Sequence, residues 1–388
     1  GDHKISNKAP KSEESEEHKS NDTQPTATTD LDLAVTPVLE KMSKSGVLID
    51  VPFLNKLGEE TKKRLLEIEG SIYETVGHEF NLNSPKQLAD VLFDELGLPV
   101  IRKTKTGRST DEATLQELKH ANPAIPLILE YRQLYKLMST YIEALPKYLD
   151  ENNLVHSTFN VDGAATGRLS STNPNLQNIP IKGDVGGELR KAFIAPKDRV
   201  LLGADYSQIE LRILAHVTDD PNLKKAFKDG IDIHTATASK IFKVSLDEVT
   251  KQQRMVGKTV NFATLYGQGP HALSEQLGVD FNTARTYIEE YFAQFPKVKA
   301  WKANVLEEAE KTGYVETIWG RRRYIPELKS TNRMFKAAGE RAAINHPIQG
   351  TNADMIKKAM VNIDKEISAD KTLEKNCQLI LTVHDELM

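Results

Sequence analysis

Four residues spaced four apart carry the side chains that a nucleoside triphosphate requires. They lie in KQQRMVGKTVNFATLYG (251–267), and they are Arg254, Lys258, Phe262 and Tyr266. On an α-helix each step of four residues advances only ~40°, so the two cations and the two aromatic rings share one face. Cationic donors bind phosphates, and flat rings stack on a base. This face is therefore predicted to hold a nucleotide along the helix.

The opposite side of the same helix indicates how it is anchored. Val256, Val260 and Ala263 form an apolar stripe that would pack against a core. The pattern also fits an ordinary amphipathic helix, whose Lys and Arg stems cover apolar surface and whose rings pack. The helix alone does not separate these two interpretations.

Two carboxylates stand where apolar segments end. Asp205 closes the apolar part of RVLLGADYS (199–207), which we interpret as a buried strand, and a carboxylate there is costly unless it is paired or bound to a metal. Asp385 lies in a turn after CQLILTV (377–383), where a plain hairpin turn would give the same pattern. Because Mg²⁺ prefers hard oxygen ligands, a carboxylate at either position could instead serve a metal ion.

Four motifs together resemble those of family A DNA polymerases, the bacterial DNA polymerase I type. They are TGRLSSTNPNLQNIP (166–180), DYSQIELR (205–212), RMVGKTVNFATLYG (254–267) and VHDE (383–386). The similarity extends from about Leu33 to the last residue, and several long motifs are far more specific than one short pattern. The chain stops three residues after Asp385, whereas the family continues, so we expect a C-terminally truncated palm with a loose site.

The resemblance implies an α+β fold with the right-hand polymerase architecture, which has a helical thumb, an antiparallel-sheet palm and helical fingers. The implied divisions are 1–30 disordered tail or linker, 31–152 thumb, 153–215 first part of the palm, 216–335 fingers and 336–388 second part of the palm. Residues 1–30 are polar and nearly free of large apolar groups, which favours disorder.

Two helical segments are predicted from their own patterns. The first is the seam of one long helix, formed by Leu127, Tyr131, Leu134, Met138, Tyr141 and Leu145, which alternate four and three apart. The second, AAINHPIQGTNADMIKKAM (342–360), is expected to be a helix interrupted near Pro347 and Gly350.

The resemblance also implies the chemistry of the site. Template-directed addition of deoxynucleotides to a primer 3′-hydroxyl would use two Mg²⁺ ions at Asp205, Tyr206 and Asp385. The incoming deoxynucleoside triphosphate would contact Gln208, Glu210, His234, Arg254, Lys258, Phe262 and Tyr266. Lys258 would also protonate the pyrophosphate, Phe262 would stack on the incoming nucleotide and disfavour dideoxynucleotides, and Tyr266 would occupy the template-base position until the helix closes.

Two of these residues have structural alternatives. Glu210 would exclude a 2′-hydroxyl by lying under the sugar, but SQIE (207–210) is also a capping box, in which Ser207 starts a helix and Glu210 reaches back. A lone histidine such as His234 is often structural, so its role stays open between a phosphate contact and core packing.

Residues that match the family's DNA contacts lie in several segments. Arg168 would donate to minor-groove acceptors, which occur in every base pair, so that it checks pair geometry without reading sequence. The other implied contacts at the primer end and minor groove are Asn175, Gln177, Asn178, Asn345, Gln349 and His384. A rigid polar turn packing on the palm would explain the Asn and Pro content around Arg168 equally well, but it leaves Arg168 itself unexplained.

Contacts to phosphates are predicted in two basic regions. The loop KTKTGRST (103–110) and the residues Lys136, Ser139 and Thr140 would bind duplex phosphates, and Thr110 is expected to cap the following helix. GRRRYIP (320–326) would contact the template backbone through Arg321, Arg322 and Arg323. Solvated loops and an ordinary helical pair give the same local patterns.

Composition narrows the class of protein. The chain has 388 residues, 39% of them hydrophobic, and a formal net charge of -4. The single Cys377 excludes an internal disulfide and a cysteine zinc cluster. Because there is no apolar run of bilayer length and no leader, we expect a cytoplasmic protein without a membrane partner. We also expect a monomer. The predicted partners are a primer-template DNA duplex and deoxynucleoside triphosphates.

Two rival functions stay open. A single-subunit RNA polymerase shares a related core, but no acidic gate is expected there, so Glu210 favours deoxynucleotides. A catalytically silent primer-template binding module would bind duplex DNA without extending it. In either case, we expect no proofreading exonuclease in this chain.

Overall fold

The computed structural model describes residues 26–104, 107–179, 184–383 and 385–388. Helices predominate among these residues and all strand pairings are antiparallel, so the predicted α+β class is confirmed. No helix within the described ranges is long and apolar enough to cross a membrane.

The first part of the described chain is mainly helical. Its elements are α1 (Thr26–Ser45), β1 (Val47–Ile49), α2 (Val51–Val76), α3 (Pro85–Ala89), β2 (Lys103–Thr104), β3 (Gly107–Arg108), α4 (Glu112–Glu117) and α5 (Ala124–Leu137). Helices α2 and α5 pack together around a core that includes Ile68, Ile72 and Ile128. This core lies apart from the one that α1 shares with the strands described next.

Helix α1 starts earlier than predicted. Residues 26–30, which were assigned to a disordered tail, form its first turn, and residues 1–25 lie outside the described residues. The helix is ordered here because Val35 and Val38 are buried and Asp32 forms ion pairs with Arg321 and Lys357. Composition alone did not reveal these distant partners.

The predicted long helical seam consists of three segments. Helix α5 ends at Leu137, a π-helical turn covers Met138–Ile142, and a 3-10 turn covers Leu145–Tyr148. Pro146 prevents a continuous α-helix because it has no N–H to donate. The capping prediction for Thr110 is also wrong, since the carboxylate of the next residue, Asp111, accepts the hydrogen bond from the Thr114 N–H at 2.8 Å.

Short strands follow in the middle of the chain. The elements are β4 (Leu154–Val155), β5 (Thr158–Asn160), β6 (Ser170–Thr172), α6 (Asp184–Arg190), β7 (Phe193–Ile194) and β8 (Ala204–Asp205). Strand β1 lies between β4 and β7, and β5 pairs with β6. The prediction of a buried strand over 199–207 is wrong in both length and burial. Within this range only β8 is extended, and Val200 and Leu202 are 86% and 76% exposed.

Seven helices and a hairpin form the next region. They are α7 (Ile209–Thr218), α8 (Pro221–Lys228), α9 (Ile233–Phe242), α10 (Lys251–Leu265), α11 (Pro270–Leu277), α12 (Phe281–Gln294), α13 (Pro296–Thr312), β9 (Tyr314–Glu316) and β10 (Arg322–Tyr324). Val260 and Ala263 of α10 join their core, together with Tyr291 and Phe295. The apolar stripe predicted for this helix is therefore confirmed at these two positions.

The last elements return to the strands. They are α14 (Arg333–Ala369), α15 (Lys371–Asn376), β11 (Thr382–Val383) and β12 (Glu386–Leu387), with β12 between β11 and β8. The predicted interruption near Pro347 and Gly350 is wrong, since α14 is continuous through both residues. A proline costs a helix ~3 kcal/mol, but α14 packs against α1, α7, α13 and β9, and this burial offsets the cost.

A buried charge cluster connects three of these elements. It consists of Asp32 of α1, Arg321 before β10, and Asp354 and Lys357 of α14. Arg321 is 7% exposed and bonds to both carboxylates, so the prediction that it contacts the template backbone is wrong. The domain boundaries predicted from the sequence stay a prediction.

Candidate active site

Helix α10 presents its cationic and aromatic face as predicted. Thr250 caps its N-terminus in a capping box with Gln253, and the helix runs through the whole motif to Leu265. Gly257 faces α9 so closely that a Cβ there would lie 2.3 Å from the His234 carbonyl oxygen. This glycine therefore lets α10 approach α9, and it fixes where the face lies relative to the neighbouring helices.

One cleft of about 460 Å³ collects the predicted site residues. All ten residues assigned to catalysis, metal binding or nucleotide binding line it, and Arg168 joins them. They are Asp205, Tyr206, Gln208, Glu210, His234, Arg254, Lys258, Phe262, Tyr266 and Asp385. These residues come from α7, α9, α10 and the ends of two strands, so the fold brings together segments separated by as many as 180 positions.

Strand pairing brings the backbone segments that carry Asp205 and Asp385 side by side. Asp205 in β8 lies opposite Glu386 in β12, and the Tyr206 N–H donates to the Asp385 carbonyl oxygen at 3.2 Å. The Asp385 carboxylate accepts a hydrogen bond from the Asn352 amide at 2.7 Å. The amide oxygen of Asn352 has no hydrogen-bond partner among the described residues. Asn352 was not identified as a site residue from the sequence. Its position three residues after Gln349, on the same helix face, was the available signal.

The donor set fits a hard divalent cation. Asp205 and Asp385 both line the cleft beside the paired strands β8 and β12, and the carbonyl oxygen of Tyr206 accepts no hydrogen bond within the described ranges. Those ranges hold no cluster of three or more His, Cys, Asp or Glu side chains suited to a metal. This is compatible with Mg²⁺, which takes one or two carboxylates and completes its shell with water and substrate phosphates.

Glu210 is held by two residues of the cleft rather than by a helix cap. It is 6% exposed, and it accepts hydrogen bonds from Arg168 at 2.5 Å and from the Tyr266 hydroxyl at 2.7 Å. The capping-box alternative is wrong, because the N-cap of α7 is Gln208 with φ of 53° and no side-chain cap. Burial, followed by the charge of Glu210, raises the pKa of the Tyr266 phenol.

The cationic end of the cleft contains one paired and one unpaired residue. Arg254 forms two hydrogen bonds with Asp232, at 3.0 and 2.8 Å, while Lys258 has no ion pair or hydrogen bond to any described residue. Burial raises the pKa of Asp232, but the bonds from Arg254 and Thr235 outweigh it and lower the pKa to about 2. Asp232 was missed in the sequence because it lies 22 residues before Arg254.

The aromatic end is arranged for stacking. The Phe262 and Tyr266 rings are nearly parallel, with centroids 6.0 Å apart. His234 lies 5.8 Å from Phe262 and is buried, and burial lowers its pKa to about 4. The imidazole is therefore neutral near pH 7.

The predicted DNA-binding residues are distributed over a wider surface. Arg168, Gln177, Asn352 and Asp385 line a cavity of about 60 Å³ beside the cleft. The Gln177 amide donates to the Thr382 carbonyl oxygen, the Asn175 side chain accepts from the Gln177 N–H, and the Asn178 carbonyl accepts from Tyr141. Lys136, Ser139 and Thr140 are exposed, and Asn345 and Gln349 are partly exposed on α14. His384 lies outside the described residues.

The basic hairpin splits into different environments. Arg321 belongs to the buried charge cluster, whereas Arg322 pairs with Glu316 at 2.6 Å and lies over the Tyr314 ring. Arg323 is partly exposed and forms no ion pair with any described residue. Of the three, Arg323 is the one available for an external phosphate.

Comparisons with known proteins give consistent matches. The family model described as DNA polymerase family A matches residues 51–388. The thermostable DNA polymerase I of Thermus filiformis is 49% identical over 354 residues, which is 90% of this chain and 42% of the relative. DNA polymerase I of Bacillus subtilis is 46% identical over 361 residues, which is 92% of this chain and 41% of the relative.

One solved structure has a closely similar fold. The POL domain of Pol1 from M. smegmatis, in a complex with DNA primer-template and dNTP, has a TM-score of 0.87 and 41% identity, covering 92% of this chain and 63% of that chain. The right-hand architecture predicted from the sequence is thereby confirmed. The chain spans about two fifths of the length of the curated relatives named above.

Proposed function

Because the chain belongs to DNA polymerase family A, we propose that it adds deoxynucleotides to the 3′-hydroxyl of a primer under the direction of a template strand. The observation that carries the proposal is the single cleft lined by all ten predicted residues. A chance resemblance in four motifs would not bring carboxylates, cations and stacking rings from three helices and the ends of two strands into one space. The partners would be primer-template DNA and deoxynucleoside triphosphates.

The metal ions are assigned to the carboxylate end of the cleft. Family A DNA polymerases are metal-dependent, and we assign two Mg²⁺ ions to Asp205, Asp385 and the Tyr206 carbonyl oxygen. Bound there, the ions would supply an activated primer hydroxyl and neutralise charge on the leaving pyrophosphate. Asn352 would hold one oxygen of Asp385 and leave the other free.

The chain's own residues would orient the triphosphate. Lys258 is the unpaired cation of the cleft, so we assign it to the phosphates and to proton donation to pyrophosphate. Arg254 would replace its two hydrogen bonds to Asp232 with bonds to phosphate oxygens. Phe262 would stack on the incoming nucleotide, and the base would displace Tyr266 from its contact with Glu210.

Sugar selection is assigned to Glu210. Its carboxylate is buried and stays bonded to Arg168 after Tyr266 is displaced, so it has little freedom to move away from a 2′-hydroxyl. A 2′-hydroxyl would therefore have to occupy space that the fixed carboxylate already fills. Arg168, which donates to Glu210, would connect this carboxylate to the minor groove of the primer end.

Extension of a labelled primer on a template, with Mg²⁺ and either dNTPs or rNTPs, tests the proposed function. We expect extension with dNTPs only. Duplex binding without extension would instead support a binding module, and extension with rNTPs would support an RNA polymerase. Glu210→Ala should admit ribonucleotides while extension with dNTPs persists, and unchanged exclusion would remove Glu210 from the role of gate.

A further inference from the structure

A residue outside the four-residue series connects α10 to the histidine of the cleft. Asn261 is 1% exposed, and its side chain lies between α10 and α9. Its Oδ1 accepts a hydrogen bond from the Thr237 hydroxyl at 2.8 Å. Its Nδ2 lies 3.4 Å from the Ile233 carbonyl oxygen and 2.9 Å from His234 Nδ1.

These contacts determine which end of the amide faces the histidine. A carbonyl oxygen only accepts, so the atom of Asn261 next to the Ile233 carbonyl must be the NH₂ group. The reversed amide would place two oxygens together and lose a buried hydrogen bond. His234 Nδ1 therefore faces a donor and must be the unprotonated nitrogen of the neutral ring.

The other ring nitrogen is then the only donor of the histidine. Nε2 carries the proton, has no hydrogen-bond partner among the described residues, and belongs to a ring that lines the cleft. The low pKa of His234 has burial as its main cause; Arg254 and Lys258 act in the same direction, and Asp232 opposes them. The ring is thus a neutral donor beside two cations.

We propose that Asn261 is a positioning residue, which together with Thr237 holds His234 in the Nε2–H tautomer so that the ring donates a hydrogen bond to a phosphate oxygen of the bound nucleoside triphosphate. The phosphate contact rests on the proposed function, whereas the tautomer is a property of the free protein. A neutral donor orients the phosphate without changing its charge between pH 6 and pH 8. Lys258 and Arg254 would supply the electrostatic attraction for the phosphates.

Other charged groups around the ring stay the same when Asn261 is replaced. They are Asp232 at the start of α9, Arg254 and Lys258 of α10, Glu210 of α7, Arg168, and Asp205 and Asp385 at the strand ends. A change in pH dependence that follows substitution of Asn261 therefore comes from the new side chain and its bond to Nδ1.

The first test reads the tautomer directly in the free 388-residue chain. With ¹⁵N-labelled histidine, we expect His234 to show a protonated Nε2 and an unprotonated Nδ1 from pH 6 to pH 8, assigned by loss of the signals in His234→Phe. A proton on Nδ1, or a titration within that range, would overturn the proposal whether or not the chain extends primers.

The second test measures affinity for the complementary dNTP in a complex with Mg²⁺ and a template carrying a dideoxy-terminated primer. In Asn261→Asp the carboxylate would accept a hydrogen bond from Nδ1–H and raise the pKa of His234. At low pH the charged ring would still donate from Nε2 to the phosphate. At high pH the neutral ring would keep its proton on Nδ1, and the Nε2 lone pair would face the phosphate. The ratio of variant to unsubstituted Kd should then rise by about tenfold from pH 6 to pH 8. Titration of the nucleotide itself cancels in this ratio.

Thr264→Val is the matched control. Thr264 is buried on the same helix, but its hydroxyl donates only to the Val260 carbonyl of its own turn. Its Kd ratio should not change with pH. A flat ratio in Asn261→Asp would overturn the proposal, and absence of nucleotide binding by the unsubstituted chain would overturn the proposed function, in which case the tautomer is still tested by the histidine spectra.

Discussion

The cleft and the buried charge cluster treat charged side chains in opposite ways. In the buried charge cluster each of the four groups has an opposite partner within the protein, and Lys357 is fully buried. In the cleft, Lys258 has no such partner among the described residues, and Asp205 and Asp385 line the same space without an ion pair to any described residue. The difference indicates that the cluster serves the fold, whereas the cleft is completed by a ligand.

Two pairs in the cleft are intermediate between these extremes. Arg168 with Glu210 and Arg254 with Asp232 are bonded, but both arginine side chains are about 40% exposed. Arg254 and Asp232 are both partly exposed, so a ligand can replace this pair at small cost, whereas Glu210 is buried and would be left with an unpaired charge. We therefore expect Arg254 to exchange partners when a substrate binds, while Arg168 stays bonded to Glu210.

The largest expected effect is on the carboxylate pair. Asp385→Asn keeps the shape of the side chain but removes a charge, so the extension rate should fall by on the order of 10³-fold. The free energy of unfolding should change little, because the amide oxygen of the new Asn can still accept the hydrogen bond from Asn352. Single-turnover primer extension and urea unfolding measure the two quantities, and a large loss of stability would place Asp385 with the structural charges.

Substitutions in the buried charge cluster should lower the free energy of unfolding. Arg321→Met leaves Asp32 and Asp354 without the guanidinium, and breaking a buried ion pair in this way costs about 3–5 kcal/mol. Arg322→Met is the matched control, since its pair with Glu316 is partly exposed and should be worth about 1 kcal/mol or less. Equal losses in urea unfolding would contradict the distinction between the two arginines.

Lys258→Ala should separate chemistry from binding. If the lysine protonates pyrophosphate, the rate of the chemical step should fall by about 10²-fold or more, with a much smaller change in dNTP affinity. Rapid-quench measurements over a range of dNTP concentrations give both values. Equal losses in rate and affinity would reduce Lys258 to a phosphate-binding charge.

The aromatic end of the cleft should show the smallest effect. Phe262→Tyr adds a hydroxyl that can replace the missing 3′-hydroxyl of a dideoxynucleotide, and one such hydrogen bond is worth up to about tenfold. Competition between dideoxy- and deoxynucleotides measures the preference. If the unsubstituted chain accepts dideoxynucleotides as well as the variant does, Phe262 does not discriminate between them.

Local spacing predicted part of this site well. The series from Arg254 to Tyr266 follows from helical geometry alone, so its common face was readable in the sequence. The family motifs identified Asp205 and Asp385, although the strands that carry them are much shorter than their apolar sequences suggested. Apolar content did not predict burial there, since Val200 and Leu202 are exposed.

Long-range partners could not be predicted in the same way. Three consecutive arginines look equivalent in GRRRYIP, yet only Arg321 meets Asp32, which lies 289 positions earlier. Asn352 and Asn261 are polar residues inside helices, and their roles depend on Asp385 and His234 in other elements. A sequence pattern records helix faces and strand ends, but it does not record which faces meet.

The central claim is that the cleft serves catalysis and the buried charge cluster serves stability, and one paired experiment tests it most directly. Asp205→Asn and Asp354→Asn make the same chemical change in the two regions. We predict that Asp205→Asn abolishes primer extension without lowering the free energy of unfolding, whereas Asp354→Asn lowers that free energy and leaves the folded fraction able to extend primers. Extension by Asp205→Asn at the unsubstituted rate would contradict the account.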